Sequence, residues 1–358
     1  MTRRLSQLTN PIKLGDQFIG TGYPPFIVAE MSGNHNQSLE KALSIVEAAA
    51  RAGAHAVKLQ TYTADTLTID VEEEGFIIQD PESLWKGKSL YELYKEAYTP
   101  WEWHEPIMKK CQGLGLIAFS TPFDETAVDF LEGLNVPAYK IASFESNHLP
   151  LIRKAASTGK PLIISTGMAT IAELDDAVRT AREAGCQDIV LLKCTSTYPA
   201  PPEDVNLVTI PHLRKLFGVE VGISDHTLGV GVSIAAVAMG ACIVEKHFTL
   251  SRAEGGVDAV FSMEPPEMRL LSDELLKAWQ GLGKISYDLT PREQSSLMFR
   301  RSIYVVHDIK AGELFTSKNI RIIRPGAGLQ PKYYDILIGK RSSRDIRRGE
   351  PLKWEFVV

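Results

Sequence analysis

The chain has 358 residues, of which 44% are apolar and 23% charged, and its formal net charge is −5. This is the composition of a folded globular protein without the run of about 20 apolar residues that a membrane span needs. The polar start, MTRRLSQLTN, also lacks a secretory segment, so we expect a cytoplasmic protein that does not contact a membrane. The cysteines have no CxxC spacing and are expected to be reduced structural thiols (Cys111, Cys186, Cys194 and Cys242).

Eight short apolar runs recur between residues 25 and 247, and each ends in a polar or ionisable side chain. Continuous apolar runs of this length suit strands buried on both faces, and helix-period segments separate most of them, as in a parallel α/β sheet. Eight such units predict a (β/α)8 TIM barrel, in which reacting groups lie where the strands run into their following loops. The predicted strands are Pro25–Glu30, His55–Gln60, Leu116–Thr121, Ala138–Ser143, Pro161–Thr166, Ile189–Cys194, Val219–Ser224 and Cys242–His247.

Helix boundaries are marked between these strands. Ser38 is placed to cap a helix that Gly53 ends. Thr170 and Glu173 form a capping box at the start of another helix, which Gly185 ends before the sixth strand. These signals support the alternation of strands and helices.

One connection is far longer than the others. Residues Thr61 to Gly115 separate the second and third strands, and the segment is rich in Trp and Tyr. An insertion at the catalytic face with many amphipathic rings is either an element that covers the substrate or a set of helices that pack against the barrel wall.

The sequence changes character near residue 285. We predict a barrel over residues 1–284, a linker over 285–298 and a small β-rich domain over 299–358. The last 60 residues, 299–358, carry 13 Lys/Arg against 6 Asp/Glu, net +7, whereas the rest of the chain carries 26 against 38, net −12. A basic domain on an acidic barrel suggests docking, or delivery of a cation to an anionic substrate. We do not expect nucleic acid as a partner, because the basic residues are dispersed and lack an aromatic platform.

Two histidines end neighbouring strands of the predicted barrel. His226 follows the seventh strand and His247 ends the eighth, so both imidazoles are expected to bind one divalent ion, with water and substrate completing its ligands. Two imidazoles without a thiolate suit Mn²⁺, Mg²⁺, Co²⁺ or Zn²⁺ acting as a Lewis acid. Asp225 is either a third ligand or a residue that orients one of the histidines.

Two lysines lie inside strands that are predicted to be buried. Burial of the Lys58 and Lys140 ammonium groups is costly unless an anion meets them, so they predict a strongly anionic ligand. Hydroxyl groups at several strand ends are suitable donors to phosphate or carboxylate oxygens. Glu30 and Glu145 are expected to act as acid or base, to orient a sugar or to balance charge. Together these groups indicate carbon–carbon bond formation to a metal-polarised carbonyl.

An ordered set of motifs resembles the sialic acid synthase family, which condenses phosphoenolpyruvate with an amino sugar. The tail, IRPGAGLQPKYYDILIGKRSSRDIRRGE, is similar to that family's SAF module, which is related to type III antifreeze protein, so the resemblance covers nearly all of the chain. The motifs are AEMSGNHNQSLEKA, AVKLQTY, FSTPFD, AYKIASFE, ISTGM, KCTSTYP, GISDHT and EKHFTL.

Within the family, three segments resemble the branch that makes pseudaminate: FII followed by LWKGKSLYELYKEAYTPWEWH, then KIASFES, then KCTSTYP. N-acetylneuraminate synthases typically have HCTNxYP at the last motif, from which Lys193 and Ser196 depart. The resemblance implies that phosphoenolpyruvate, water and 2,4-diacetamido-2,4,6-trideoxy-L-altrose give pseudaminate and phosphate by C–O cleavage. Alternatives are synthesis of N-acetylneuraminate or legionaminate by the same chemistry, and a non-catalytic carbohydrate- or ice-binding protein built on the SAF module.

The resemblance also implies roles for individual residues. His226 and His247 would hold the divalent metal (Mn²⁺, Mg²⁺ or Co²⁺), Glu30 would contact the sugar or metal-bound water, and Glu145 would assist proton transfer during hydration. Arg324 resembles the arginine that one subunit presents to the other subunit's site in a domain-exchanged homodimer. The expected phosphoenolpyruvate contacts are Lys58, Thr121, Lys140, Ser143, Ser165, Ser196 and Ser224, and the expected sugar contacts are Tyr198 and Asp258.

Overall fold

The computed structural model describes residues 10–81 and 83–358 and divides into two compact units after Gly283. The first nine residues, which hold most of the polar start of the chain, lie outside the described residues. Among the residues that are described, no helix combines the length and the apolar character needed to cross a bilayer.

The first unit is a closed barrel of eight parallel strands, which confirms the predicted fold. A short antiparallel hairpin that was not predicted comes before it, formed by β1 (Ile12–Leu14) and β2 (Gln17–Ile19). The barrel strands are β3 (Phe26–Glu30), β4 (Ala56–Thr61), β5 (Ile117–Pro122), β6 (Tyr139–Ile141), β7 (Leu162–Ser165), β8 (Ile189–Cys194), β9 (Glu220–Ser224) and β10 (Ile243–His247). They pair in chain order, and β10 closes the barrel on β3.

Helices follow most of the strands, and most of these helices pack their apolar faces around the barrel. They are α1 (Leu39–Arg51), α2 (Ala64–Leu67), α3 (Leu90–Ala97), α4 (His104–Gly113), α5 (Glu125–Gly133), α6 (Leu149–Ala156), α7 (Ile171–Glu183), α8 (Thr209–Phe217), α9 (Gly231–Ala238) and α10 (Pro265–Leu282). The predicted cap at Ser38 and the capping box of Thr170 and Glu173 are both present. All four cysteines are free and buried, but Cys194 is not only structural, because it lines the cavity described below, where its Sγ atom lies 3.9 Å from His226 Nδ1.

The interior of the barrel changes from apolar to polar along its strands. Because side chains alternate across a strand, every second residue points inward. In β10, Ile243 belongs to an inner apolar cluster, and Glu245 and His247 follow it at the inward positions. In β3, Val28 precedes Glu30 in the same way. The hairpin contributes three apolar residues to the apolar end of the barrel (Ile12, Leu14 and Ile19), so the polar groups gather at the opposite, carboxyl end.

The long insertion after β4 packs against the barrel wall, as one of the two predictions had it, and also lines a cavity. Its last helix, α4, buries Ile107 and Cys111 in the cluster between the strands and the outer helices. Its middle part forms a hairpin in which Ile78 N donates to Lys88 O at 3.0 Å and Gly87 N donates to Ile78 O at 2.8 Å. This hairpin and α3 lie over the carboxyl end of the barrel, where they line the cavity described below.

The second unit, residues 284–358, has its own apolar core. Part of the predicted linker is folded, because Thr290 caps the short helix α11 (Pro291–Gln294). An antiparallel pair follows, β11 (Ser302–Val305) with β12 (Ile320–Ile323), and then α12 (Tyr334–Leu337).

The near-repeated phrases HDIKAGELF and RDIRRGEPL of the second unit pair with each other. Ile309 and Ile346 exchange two backbone hydrogen bonds, at 2.9 and 2.8 Å. Asp345 accepts from Ala311 N at 2.9 Å, and Asp308 accepts from Arg348 N at 2.7 Å. The sequence similarity therefore corresponds to two equivalent turns around one backbone pairing.

Candidate active site

A cavity of about 400 Å³ opens at the carboxyl end of the barrel strands. Its base, which we call the polar floor, is lined by ionisable and hydroxyl side chains at the strand ends (Glu30, Lys58, Lys140, Ser143, Glu145, Ser165, Ser224, His226, Glu245 and His247). Opposite the floor lies an apolar wall, formed by the insertion and the loop after β5 (Leu67, Ile78, Leu90, Leu93 and Phe123). A pocket with convergent polar groups at this end of a TIM barrel is the expected place for catalysis.

Two lysines and two glutamates alternate across the polar floor. Lys58 Nζ lies 2.7 Å from Glu30 Oε2 and 3.7 Å from Glu245 Oε1. Lys140 Nζ lies 3.3 Å from the same Glu245 oxygen, which also accepts from Ser224 Oγ at 3.0 Å. All five side chains are buried. Because each charge has an opposite partner, the lysines are held inside the barrel without an external anion.

The two glutamates of this network differ in their pKa. Burial raises the pKa of Glu30 to about 7, although Lys58 opposes the shift. Burial also disfavours ionisation of Glu245, but the charges of Lys140 and Lys58 outweigh it and lower the pKa of Glu245 to about 2. At neutral pH, Glu245 is therefore a fixed anion between the lysines, whereas Glu30 can gain or lose a proton.

The two predicted metal-binding histidines lie side by side. The ring centroids of His226 and His247 are 5.3 Å apart, and the ring of Tyr198 lies 4.4 Å from that of His226. His226 Nδ1 lies 2.8 Å from Thr195 O, a geometry in which Nδ1 donates and Nε2 is left as the acceptor nitrogen. Burial lowers the pKa of His247 well below its usual value, so its imidazole is neutral at pH 7.

These features fit a divalent metal. His247 Nδ1 is buried and, within the described part of the chain, has no hydrogen-bond partner. A neutral imidazole with a free nitrogen, as at His247, and an imidazole oriented by a backbone carbonyl, as at His226, are features of histidine ligands. In residues 10–81 and 83–358, no three His, Cys, Asp or Glu side chains are grouped to hold a metal. The two histidines would thus leave several coordination positions to water and substrate.

The hydroxyl groups at the strand ends differ in their contacts. Thr121 Oγ1 accepts from Lys58 Nζ at 3.3 Å, and Ser165 Oγ is buried without a hydrogen-bond partner in the described residues. Ser143 and Ser196 meet at Gly167, where a Cβ atom would clash with both hydroxyl groups. A glycine is therefore required at this position for the two serines to approach each other.

Glu145 lies at the edge of the polar floor, next to the insertion. It ends a short 3-10 turn that begins at Ser143, and its Oε2 atom has no hydrogen-bond partner among the described residues. Burial raises its pKa to about 7. A buried carboxyl with a free oxygen and this pKa is suited to proton transfer near neutral pH.

Asp258 enters the cavity from the loop after β10. It accepts a hydrogen bond from Ser32 Oγ, and its Oδ2 atom lies 3.9 Å from His247 Nδ1. Gln60 donates to Ser32 Oγ and to Glu30 Oε1, both at 3.0 Å. Asp258 is therefore connected to Glu30 through two polar side chains.

Most predicted site residues line the one cavity, namely Glu30, Lys58, Lys140, Ser143, Glu145, Ser165, Tyr198, Ser224, His226, His247 and Asp258. Thr121 contacts Lys58, and Ser196 packs behind Ser143. Arg324 lies in the second unit, where its side chain is exposed. Asp225 was predicted to be a third ligand or to orient a histidine, but its carboxylate binds Lys246, Thr227 N and Ser233 instead.

Sequence reasoning gave no role to Glu245, Gln60 or Gly167. Alternation along the strand could have found the first two, because Glu245 shares a face with His247, and Gln60 shares one with Lys58. No local pattern distinguishes Gly167 from the other loop glycines.

Comparison with known proteins agrees with this geometry. The NeuB family model matches residues 45–287, and the SAF domain model matches residues 300–358. The chain is 45% identical to pseudaminic acid synthase from Campylobacter jejuni subsp. jejuni (serotype O:2), over 92% of this chain and 95% of that protein. It is 43% identical to pseudaminic acid synthase from Helicobacter pylori, over 93% and 98% of the two chains.

A solved structure is similar as well. The crystal structure of N-acetylneuraminic acid synthetase from Leptospira borgpetersenii serovar Hardjo-bovis aligns with a TM-score of 0.72 and 31% identity, covering 81% of this chain and 95% of that one. The fold, the site and these matches define a barrel synthase, and the chain belongs to the NeuB family. The predicted family is confirmed, and with it the prediction of an enzyme.

Proposed function

We propose that this chain catalyses the synthesis of pseudaminic acid in the cytoplasm, from phosphoenolpyruvate, water and 2,4-diacetamido-2,4,6-trideoxy-L-altrose. The observation that carries the proposal is the meeting of Lys58 and Lys140 with His226 and His247 in one cavity. The relatives support the choice of product, because the two that are 45% and 43% identical are both pseudaminic acid synthases.

Phosphoenolpyruvate binds on the polar floor in this proposal. Its carboxylate and phosphate lie beside the two ammonium groups, and hydroxyl groups complete its hydrogen bonds. Ser165 Oγ, which has no partner in the described residues, is a donor suited to such an anion. The remaining proposed donors are Thr121, Ser143, Ser196 and Ser224.

His226 and His247 would hold a divalent cation such as Mn²⁺, Mg²⁺ or Co²⁺, which supplies Lewis-acid polarisation of the sugar aldehyde when it is bound. Tyr198 and Asp258, which adjoin the histidines, are placed to contact the sugar. Glu30 lies where it can contact the sugar or a water molecule. The chain's own residues thus orient both reactants toward each other.

The reaction forms one carbon–carbon bond and one bond from C2 to the oxygen of water, and it breaks the C2–O bond to phosphate. C3 of phosphoenolpyruvate attacks the aldehyde carbon, whose oxygen takes up a proton, and water adds to C2 with loss of a proton. The C2–O bond to phosphate then breaks, so that phosphate leaves with the bridging oxygen and takes the proton of the C2 hydroxyl group, and C2 becomes a ketone. Glu145, with a pKa of about 7 and a free Oε2 atom, is suited to accept the proton of the attacking water.

A domain-exchanged homodimer belongs to the same proposal. In it, Arg324 of one subunit would reach the sugar in the other subunit's site. The match of residues 300–358 to the SAF domain supports this arrangement.

The test offers the purified enzyme Mn²⁺, phosphoenolpyruvate labelled with ¹⁸O at the bridging position, and each candidate hexose in turn. We expect phosphate release with the diacetamido-trideoxyaltrose, and the label should appear in the phosphate. Turnover with N-acetylmannosamine or the legionaminate precursor alone would refute the proposed product. Label retained in the sugar acid would refute C–O cleavage.

A further inference from the structure

The apolar wall of the cavity has no role in binding phosphoenolpyruvate or in proton transfer. Its residues are aliphatic or aromatic, and all but Phe123 come from the insertion after β4. Leu93 is buried, while Ile78 and Leu90 are partly exposed to the cavity. Apolar side chains that line a substrate cavity contribute selectivity by excluding polar groups.

The wall is fixed in position over the polar floor. Trp85 lies in the same hairpin as Ile78, and its Nε1 atom donates to Val257 O at 3.0 Å. Its ring lies 6.2 Å from that of Tyr198, which is itself next to His226. The hairpin that carries Ile78 is therefore tied to the loop that follows the strand of His247.

Aromatic rings also connect the wall to the residue that follows β4. Tyr62, at the end of β4, lies 5.0 Å from the ring of Phe123 and 5.9 Å from that of Tyr94 in α3. The apolar wall is therefore held in position by the contact of Trp85 and by the ring of Tyr62. We expect a substrate that reacts at the histidines to direct its other end toward this wall.

We propose that the apolar wall receives the C6 methyl group of the sugar and makes the enzyme selective for 6-deoxy hexoses. This inference depends on the proposed function, which places the aldehyde at His226 and His247. In an open-chain hexose, C6 is the carbon farthest from the aldehyde, so it extends toward the mouth of the cavity. There Ile78, Leu90 and Leu93 offer contact to a methyl group and no hydrogen-bond partner to a hydroxyl group.

The expected selectivity is moderate. A hydrophobic pocket discriminates against an added hydroxyl group by about 100-fold, because the hydroxyl loses its water without gaining a partner. A polar side chain in the wall would supply that partner and reduce the preference.

The experiment compares kcat/KM for 2,4-diacetamido-2,4,6-trideoxyaltrose and for the same sugar with a 6-hydroxyl group, using Mn²⁺ and phosphate release. We expect the wild-type enzyme to prefer the 6-deoxy sugar by about 100-fold. Leu90→Gln and, independently, Ile78→Thr should each reduce this ratio by about 10-fold. Leu84→Gln is the matched control, because Leu84 is in the same hairpin but is exposed and does not line the cavity.

Equal kcat/KM for the two sugars in the wild-type enzyme would overturn the inference. An unchanged ratio in both wall variants, each folded by circular dichroism, would overturn it as well. Absence of turnover with either sugar would instead refute the proposed function, on which the inference rests. Because Leu90 and Ile78 are tested separately, the loss of one variant to misfolding leaves the other decisive.

Discussion

The polar floor and the apolar wall face the same cavity but are built in different ways. The floor belongs to hydrogen-bonded strands, and the register fixes its side chains, as where Glu30 pairs with Lys58 and His247 pairs with Glu30. The wall belongs to a long insertion, which side-chain contacts rather than strand pairing hold in position, such as the hydrogen bond from Trp85 to Val257. The floor is therefore suited to the chemical step, and the proposed role of the wall is to select the sugar.

The largest expected effect is a loss of kcat when His226 or His247 of the polar floor is replaced. His226→Ala or His247→Ala should reduce kcat by about 10³-fold, because Lewis-acid polarisation contributes several kcal/mol. Affinity for phosphoenolpyruvate should change little, because the lysines are intact. Rates measured across a Mn²⁺ titration, with calorimetry for phosphoenolpyruvate, check both expectations. His212→Ala, at an exposed position of α8, is the control, and a metal-independent rate that survives in both variants would contradict the assignment.

The next effect tests whether the floor depends on its alternating charges. Lys140→Met should reduce kcat/KM for phosphoenolpyruvate by about 10²- to 10³-fold, as expected for removal of one preorganised charge. It should also destabilise the fold by about 3–5 kcal/mol, because Glu245 loses a buried partner. Chemical unfolding and steady-state kinetics measure the two changes.

Lys154→Met is the comparison for that experiment. Lys154 pairs with Asp129 at 2.6 Å on the surface, where loss of an ion pair costs at most about 1 kcal/mol. Similar losses of stability in the two variants would show that the charges of the floor are not coupled as described.

The smallest effect concerns the edge between floor and wall, where Glu145 lies. Its pKa is raised from 4.5 to about 7 by burial, so the folded state holds the proton over a range in which the unfolded state releases it. Wild-type stability should therefore fall as the pH rises from 4.5 to 7, whereas Glu145→Gln lacks this loss. The free energy of unfolding of the variant should equal that of the wild type below pH 4.5. Above pH 7 it should exceed the wild-type value by up to about 3 kcal/mol.

Unfolding midpoints measured at pH 4.5, 6 and 8 test this difference. Glu183→Gln, which removes an exposed carboxylate of α7, controls for the loss of one negative charge. Parallel stability profiles for the wild type and Glu145→Gln would contradict a buried carboxyl with a raised pKa.

The sequence predicted the parts of this structure that depend on local pattern. Eight apolar runs became eight barrel strands, and the caps at Ser38 and Thr170 formed as expected. Consecutive strands pair side by side, which is why His226 and His247 could be placed together from their positions in the chain. The predicted ends of the strands were less accurate. The strand predicted over Ala138–Ser143 stops at Ile141 in the structure, and Ser143 begins a 3-10 turn.

Other features depended on contacts that no local pattern records. The hairpin of β1 and β2 contributes to the apolar end of the barrel because its three apolar residues join an inner cluster that contains residues of six barrel strands, β3, β4, β5, β7, β8 and β10. Glu245 gains its importance from two lysines more than 100 residues away. Gly167 matters because Ser143 and Ser196 meet beside it.

By itself, the sequence determined the barrel, the strand-end chemistry and the separation of a basic second domain, because periodicity and composition act within short segments. Only the tertiary structure decided that Glu245 neutralises the lysines and that the insertion lines the cavity. It also decided that the pKa of Glu30 is raised while that of Glu245 is lowered. Burial and Coulomb interaction depend on distances across the fold, and these distances exist only after the barrel has closed.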